Sequence, residues 1–198
     1  MEDGGLKARK KLESLLASCR KCVYVDKPFL KFEAYRWLPS KVEVLAVGES
    51  PPPGRKESVF YNLEVFDRLR LSMKLILNLK EDGEILECLK RSEVFVTAAV
   101  KCRPPSFKAI PEMRRNCVSI LKEEIRLLKP KTVLAMGRTA MESLCEIFRL
   151  KPPHYTSQLA TLEAGNLQIT FTPHPNYIYR FRRDLAFKIR KLLLSRRS

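Results

Sequence analysis

Four of the six cysteines have the spacing of a ligand set. Cys19 and Cys22 form a Cys-x-x-Cys pair, Cys102 stands in Lys-Cys-Arg-Pro-Pro, and Cys117 follows Arg-Asn. Thiolates grouped this way hold a tetrahedral metal or an iron–sulfur cluster. Proline punctuation between Cys102 and Cys117 provides a loop that can wrap a cofactor. Cys88 and Cys145 fall outside the pattern, on helix-like stretches, and read as small buried apolar residues. Two other residues carry acid–base chemistry, and each follows an apolar run: Glu49 after Val42-Glu-Val-Leu-Ala-Val47, and His174 after Leu167-Gln-Ile-Thr-Phe171. The second histidine, His154 in Lys-Pro-Pro-His-Tyr, belongs to no pattern and reads as a surface residue.

These residues need elements to position them. The spacing predicts helices over 6–18, 62–77, 111–128, 138–148 and 182–194. Short β-branched runs at 42–47, 94–100, 132–136 and 167–171 predict buried strands. Strands alternating with helices imply an α/β fold, a three-layer α/β/α sandwich with a central four-stranded parallel sheet. No linker or repeat divides the chain, so one domain is expected over 1–198. Ligands of such sheets bind at the carboxyl ends of the strands. The segments there are Gly48-Glu-Ser-Pro-Pro-Pro-Gly54, Lys101-Cys-Arg-Pro-Pro105, Gly137-Arg-Thr-Ala140 and Thr172-Pro-His-Pro-Asn-Tyr177. The unusual residues therefore converge on one edge.

The charge constrains the partner. The chain has 198 residues, with 38 lysines and arginines against 22 acidic residues, a formal net charge of +16. An excess this large implies a polyanion, and phosphate backbones release counter-ions to such surfaces. No apolar run approaches the length of about 20 residues that spans a bilayer, and the N-terminus lacks the order of a secretory signal. A cytoplasmic, monomeric nucleic-acid-binding protein without a membrane partner is expected. In that compartment four thiols favour a metal centre over disulfides.

At this point the chain resembles the iron–sulfur uracil-DNA glycosylases of families 4 and 5. Lys101-Cys-Arg-Pro-Pro105, the helix entered at Pro111, Cys117, and Leu128 through Ala140 form one block similar to theirs in order and spacing. Val47-Gly-Glu-Ser-Pro51 is similar to the family's first motif. His174-Pro-Asn-Tyr177 followed by Arg180 is similar to its second. The likeness extends over about residues 15–192.

The resemblance implies a [4Fe–4S] cluster on Cys19, Cys22, Cys102 and Cys117, and cleavage of the bond between a deaminated base and its deoxyribose. Glu49 would orient water and favour a cationic sugar, and His174 would donate to the leaving base. Phe60 would stack on the flipped base, with backbone amides near Gly48 as further donors. Tyr177 and Ile178 would serve as wedge and support in the DNA. Arg180 and the basic face of the last helix (Arg182, Arg183, Lys188, Arg190, Lys191, Arg196, Arg197) would hold phosphates.

The likeness departs at Ala98, where the family has an asparagine that reads the uracil edge. It departs again at Pro51-Pro-Pro-Gly54 and at Tyr61-Asn62. Alanine cannot hydrogen-bond a base, so a broader or shifted base preference is implied, with Asn62 as a substitute reader. Two alternatives remain: an iron–sulfur protein of this fold that binds nucleic acid without cleaving it, and a zinc-stabilised binding module.

Overall fold

The computed structural model describes residues 3–23, 26–54, 56–154 and 159–194. Its centre is a sheet of five strands: β1 (Val44–Gly48), β2 (Val94–Ala98), β3 (Thr132–Met136), β4 (Ala160–Ala164) and β5 (Leu167–Thr172). The spatial order is β2-β1-β3-β5-β4. The first four in that order are parallel, as expected, and every residue of β1 and β2 is buried. Burial on both faces explains why these strands are continuous apolar runs.

The expected four-stranded sheet is corrected by β4, which pairs antiparallel with β5 through a turn at Gly165. Its sequence, Ala-Thr-Leu-Glu-Ala, alternates half-buried and exposed residues at the sheet edge. An edge strand needs no apolar run, which is why the sequence conceals it.

Helices α1 (Asp3–Ser18) and α2 (Pro28–Lys31) precede the sheet, α3 (Arg68–Leu77), α4 (Asp82–Arg91), α5 (Ile110–Leu128) and α6 (Arg138–Phe148) lie between its strands, and α7 (Pro175–Phe181) and α8 (Ala186–Leu194) follow it. The chain leaves β1 towards β2 and then turns back past β1 to β3 and β5. Right-handed crossovers therefore put α3 and α4 on one face, and α5 and α6 on the other. The packing agrees: α3 meets α4, α7 and α8, while α5 meets α1 and α6. The three-layer architecture stands.

Two helix boundaries differ from the spacing, and helices α4 and α7 were not expected. The helix expected from residue 62 begins at Arg68, because buried Asp67 caps it, accepting the Arg70 N–H at 3.0 Å. Helix α4 was concealed by its polar face, although Glu81 and Glu84 form a reciprocal capping box. The terminal helix expected from Arg182 begins at Ala186, and a separate α7 starts at Pro175, whose fixed φ suits a first helical position.

Two fully buried arginines hold the segment between β1 and α3. Arg103 pairs with Asp26 at 2.7 Å and donates to the carbonyls of Pro52 (2.8 Å) and Ser58 (3.0 Å). Arg70 pairs with Asp82 at 2.9 Å and donates to the carbonyls of Val59 (2.8 Å), Phe60 (3.0 Å) and Val65. The described residues among 52–65 form no helix or strand, and the two guanidinium groups add to their few turn bonds. Both aspartate partners are about one-third exposed, so the buried carbonyl contacts fix the guanidinium groups as much as the ion pairs do.

Candidate active site

The strand order reverses at β1, and the carboxyl end of β1 opens into a cleft of about 520 Å³. Gly48, Glu49, Pro51, Pro52, Pro53, Phe60, Ala98 and His174 all line it. Five expected features thus meet in one place: the first-motif carboxylate, its glycine, the aromatic platform, the alanine at the end of β2 and the histidine of the second motif.

Glu49 is half-buried directly after β1. The Thr139 hydroxyl, in the first turn of α6, donates to its Oε2 at 2.6 Å. The Val100 N–H holds the Glu49 carbonyl at 2.9 Å. Backbone and side chain are therefore both fixed.

His174 caps α7. Its Nδ1 accepts the Asn176 N–H at 3.1 Å, and the Asn176 Oδ1 accepts the Ser72 hydroxyl of α3 at 2.8 Å. A ring that accepts at Nδ1 carries its neutral-state proton on Nε2, which is then its one donor. Burial pushes the imidazole below its ordinary value, against the opposing pull of Glu49 and Asp67. The site holds a carboxylate beside a neutral hydrogen-bond donor.

Sequence reasoning did not foresee how tightly this pair is built. Gly137, at the end of β3, has φ +97°, and a Cβ there would meet the His174 Cβ at 3.2 Å. Both the conformation and the close approach require glycine. Its signal was visible as a glycine directly after a strand. Thr139, Asn176 and Asp67 carried no signal beyond their positions near caps and strand ends.

The aromatic side chain expected as a platform, Phe60, is held in place by its neighbours. Phe60 is buried and packs edge-to-face on Tyr61, with ring centroids 5.3 Å apart, and the Tyr61 hydroxyl donates to the Val96 carbonyl. Ala98 pairs with Gly48 in the sheet register, so two small residues form the floor.

Three expectations need correction. Asn62 does not line the cleft; its amide donates to the Glu57 carbonyl at 3.1 Å and its oxygen accepts the Glu64 N–H at 3.2 Å. Those bonds hold the side chain in the turn, away from the cleft lining. Ile178 is fully buried in the core, because α7 turns it inward; of the wedge pair, only Tyr177 is exposed. The Nε of Arg190 donates to the Ile76 carbonyl at 2.7 Å, making this residue a strut between α8 and α3. Arg180 and Arg183 are exposed, and Arg183 lies over the Tyr179 ring at 5.2 Å. His154 is exposed, as expected; Arg196 and Arg197 lie outside the described residues.

The four cysteines of the sequence pattern come from three parts of the chain. Cys19 and Cys22 follow α1, Cys102 follows β2 and Cys117 lies in α5. Burial pushes the Cys102 thiol up to about 12, and repulsion from Cys117, Cys22 and Cys19 adds to it. Burial also raises Cys117, while the Lys101 backbone N–H and charge oppose the rise. The Asn116 amide reaches the Cys22 Sγ at 3.5 Å and the Lys21 carbonyl at 3.0 Å, tying the strap after α1 to α5. As the side chains stand, no group of three or more His, Cys, Asp and Glu is arranged to hold a metal ion among the described residues. The donor chemistry nonetheless suits one: Cys102 and Cys117 are buried and repel one another, and a bound cation would offset the cost of their ionisation.

Comparison with known proteins decides the lineage. The sequence model described as Uracil DNA glycosylase superfamily matches residues 36–195. The chain belongs to that superfamily. The type-4 uracil-DNA glycosylase of Pyrobaculum aerophilum is 26% identical over 197 residues, 89% of this chain and 91% of that protein. The type-5 uracil-DNA glycosylase of the same organism is 35% identical over 79 residues, 40% of this chain and only 33% of that protein. A type-5 uracil-DNA glycosylase from Thermus thermophilus is 41% identical over 59 residues, 29% of this chain and 27% of that protein. The expected kinship with the type-4 and type-5 enzymes is thereby shown.

The histidine geometry predicts a pH signature. An unfolded histidine takes its proton near ~6.5, whereas folded His174 resists it to lower pH. Stability contributed by the neutral ring is complete above the unfolded value and falls as pH drops towards the folded one. Denaturation of parent and His174→Gln between pH 4 and 8 should show the extra acid-side slope in the parent alone. Gly137→Ala should lose about 1–3 kcal/mol of stability and shift the His174 ring resonances. Unchanged resonances would mean that the close approach is not maintained in solution.

Proposed function

We propose that this chain is a DNA glycosylase that removes a deaminated base by hydrolysis of its N-glycosidic bond. One observation carries the reading: the carboxylate of Glu49 and the neutral imidazole of His174 line the same cleft at the reversal of strand order. Departure of a base leaves positive charge on the sugar and negative charge on the base. Glu49, oriented by Thr139, favours the first and orients the attacking water. The Nε2–H of His174, fixed by the Asn176 amide, donates to the base oxygen that gains charge. A neutral donor gives up no proton, so the base departs as an anion held by a hydrogen bond.

The target nucleotide must leave the stack to reach these groups. Phe60 is the proposed platform for its base, and the backbone around Gly48 brings the sugar close to Glu49. Tyr177 is the proposed wedge. Arg180 and Arg183 are proposed phosphate contacts, which position the strand without reading its sequence. The Gly48–Ala98 floor offers no side chain that hydrogen-bonds a base edge, and Asn62 is occupied elsewhere. Without a reader at the Ala98 position, a preference broader than uracil alone is expected.

Cys19, Cys22, Cys102 and Cys117 are the proposed ligands of a [4Fe–4S] cluster. Holding it, these residues would tie the strap after α1 to β2 and α5, a structural contribution separate from the hydrolysis. Protein purified without oxygen should be brown and carry about four irons per chain, and Cys117→Ser should lose both. Stoichiometric zinc without colour would replace the cluster by a single ion.

The test of the activity is a single-turnover assay with oligonucleotides bearing uracil, hypoxanthine or xanthine, read by alkaline cleavage. We expect slow excision, with Glu49→Ala and His174→Ala each at least about tenfold slower, a loss near 1.4 kcal/mol in transition-state stabilisation. Ala98→Asn should narrow the preference towards uracil. Absence of abasic product from every base would leave the second reading, a binding protein of this fold, which Ala98 favours.

A further inference from the structure

The mouth of the cleft carries two large apolar side chains that the core does not use. Phe66 is 66% exposed and Phe107 is 71% exposed, and both line the cleft. Each sits on fixed backbone. Phe66 lies between Val65, whose carbonyl accepts from buried Arg70, and Asp67, the buried cap of α3. Phe107 opens a short 3-10 turn, Phe107–Ala109, which leads into α5; just before it, the Pro104 carbonyl accepts the Gly54 N–H at 3.0 Å.

The two rings reach the mouth from different directions. Phe66 precedes α3, which packs on α7 beyond β5, whereas Phe107 follows β2 at the opposite edge of the sheet. Each has a cation close by in sequence: Arg68 and Lys108 are both exposed, and Arg68 lines the cleft with Lys56. Single exposed apolar residues are ordinary. Two rings flanking one cleft, interleaved with cations on a chain of net charge +16, match the chemistry of an unpaired nucleic-acid strand. Cations track its phosphates while rings take the faces of its bases.

We propose that Phe66 and Phe107 stack on the bases either side of the extruded nucleotide, so that the cleft binds an unpaired DNA strand more tightly than a duplex. The proposal rests on the DNA reading above but not on excision. In a duplex the flanking bases are stacked on their neighbours, and their faces become available only after unstacking. Every base has a π face, so this clamp reads no sequence.

The experiment uses undamaged oligonucleotides carrying 2-aminopurine, single-stranded and duplex, with the full chain. The parent should bind the single strand at least about tenfold tighter at equal salt, with quenching of the 2-aminopurine. Phe66→Ala and Phe107→Ala should each weaken single-strand binding about tenfold, with the dependence on salt unchanged. Phe107→Tyr should keep both affinity and quenching, because the ring is retained. Arg68→Ala should instead lower the salt slope. Alanine variants that bind the single strand as the parent does, or a parent that prefers the duplex, would overturn the clamp. A parent that binds neither form at low salt would overturn the DNA reading itself, and the clamp with it.

Discussion

A parallel sheet covered by helices on both faces has no room for an unpaired charge along its strands, and this constraint governs where the chemistry can lie. Every residue of β1 and β2 is buried. The two candidate acid–base residues accordingly stand just past strand ends, Glu49 after β1 and His174 after β5. The reversal of strand order at β1 then separates the loops on either side and opens the cleft between them.

The same constraint explains the buried polar groups that do occur. Thr97 on β2, Lys101 just beyond it and Glu124 on α5 form a fully buried network, with both other side chains bonded to the threonine hydroxyl. It closes beside the cysteines, where the Lys101 backbone N–H faces Cys117. Arg70 and Arg103 act on the cleft side, supplying donors to a loop with few turn bonds of its own. The cleft wall, the sheet end and the thiol centre are joined by hydrogen bonds to buried charges, so none can move far alone.

Much of this was legible in the sequence because burial writes apolar runs and helical periods. The four parallel strands, the long helix α5 and the convergence of Glu49 and His174 followed from those patterns. What escaped were features governed by local hydrogen bonds. Strand β4 sits half in water and shows no run. Helix α4 begins from a reciprocal Glu81–Glu84 cap, a weaker signal than periodicity. Asn62 was expected as a substitute base reader, and only the turn geometry shows its amide turned to the Glu57 carbonyl and the Glu64 N–H. Ile178 and Tyr177 are adjacent in sequence, yet α7 turns one into the core and the other outward. The Gly137–His174 contact joins residues 37 positions apart and is set by the β3–β5 pairing.

Membership of the uracil DNA glycosylase superfamily fixes the lineage; the chemistry proposed for this chain rests on Glu49 facing a sugar that becomes cationic. The most direct measurement compares two uncleavable oligonucleotides, one with a cationic pyrrolidine in place of the target sugar and one with a neutral tetrahydrofuran. The account predicts tighter binding of the cationic analogue, with the difference abolished in Glu49→Gln. Equal affinity for the two analogues, or a difference that survives the substitution, would contradict it.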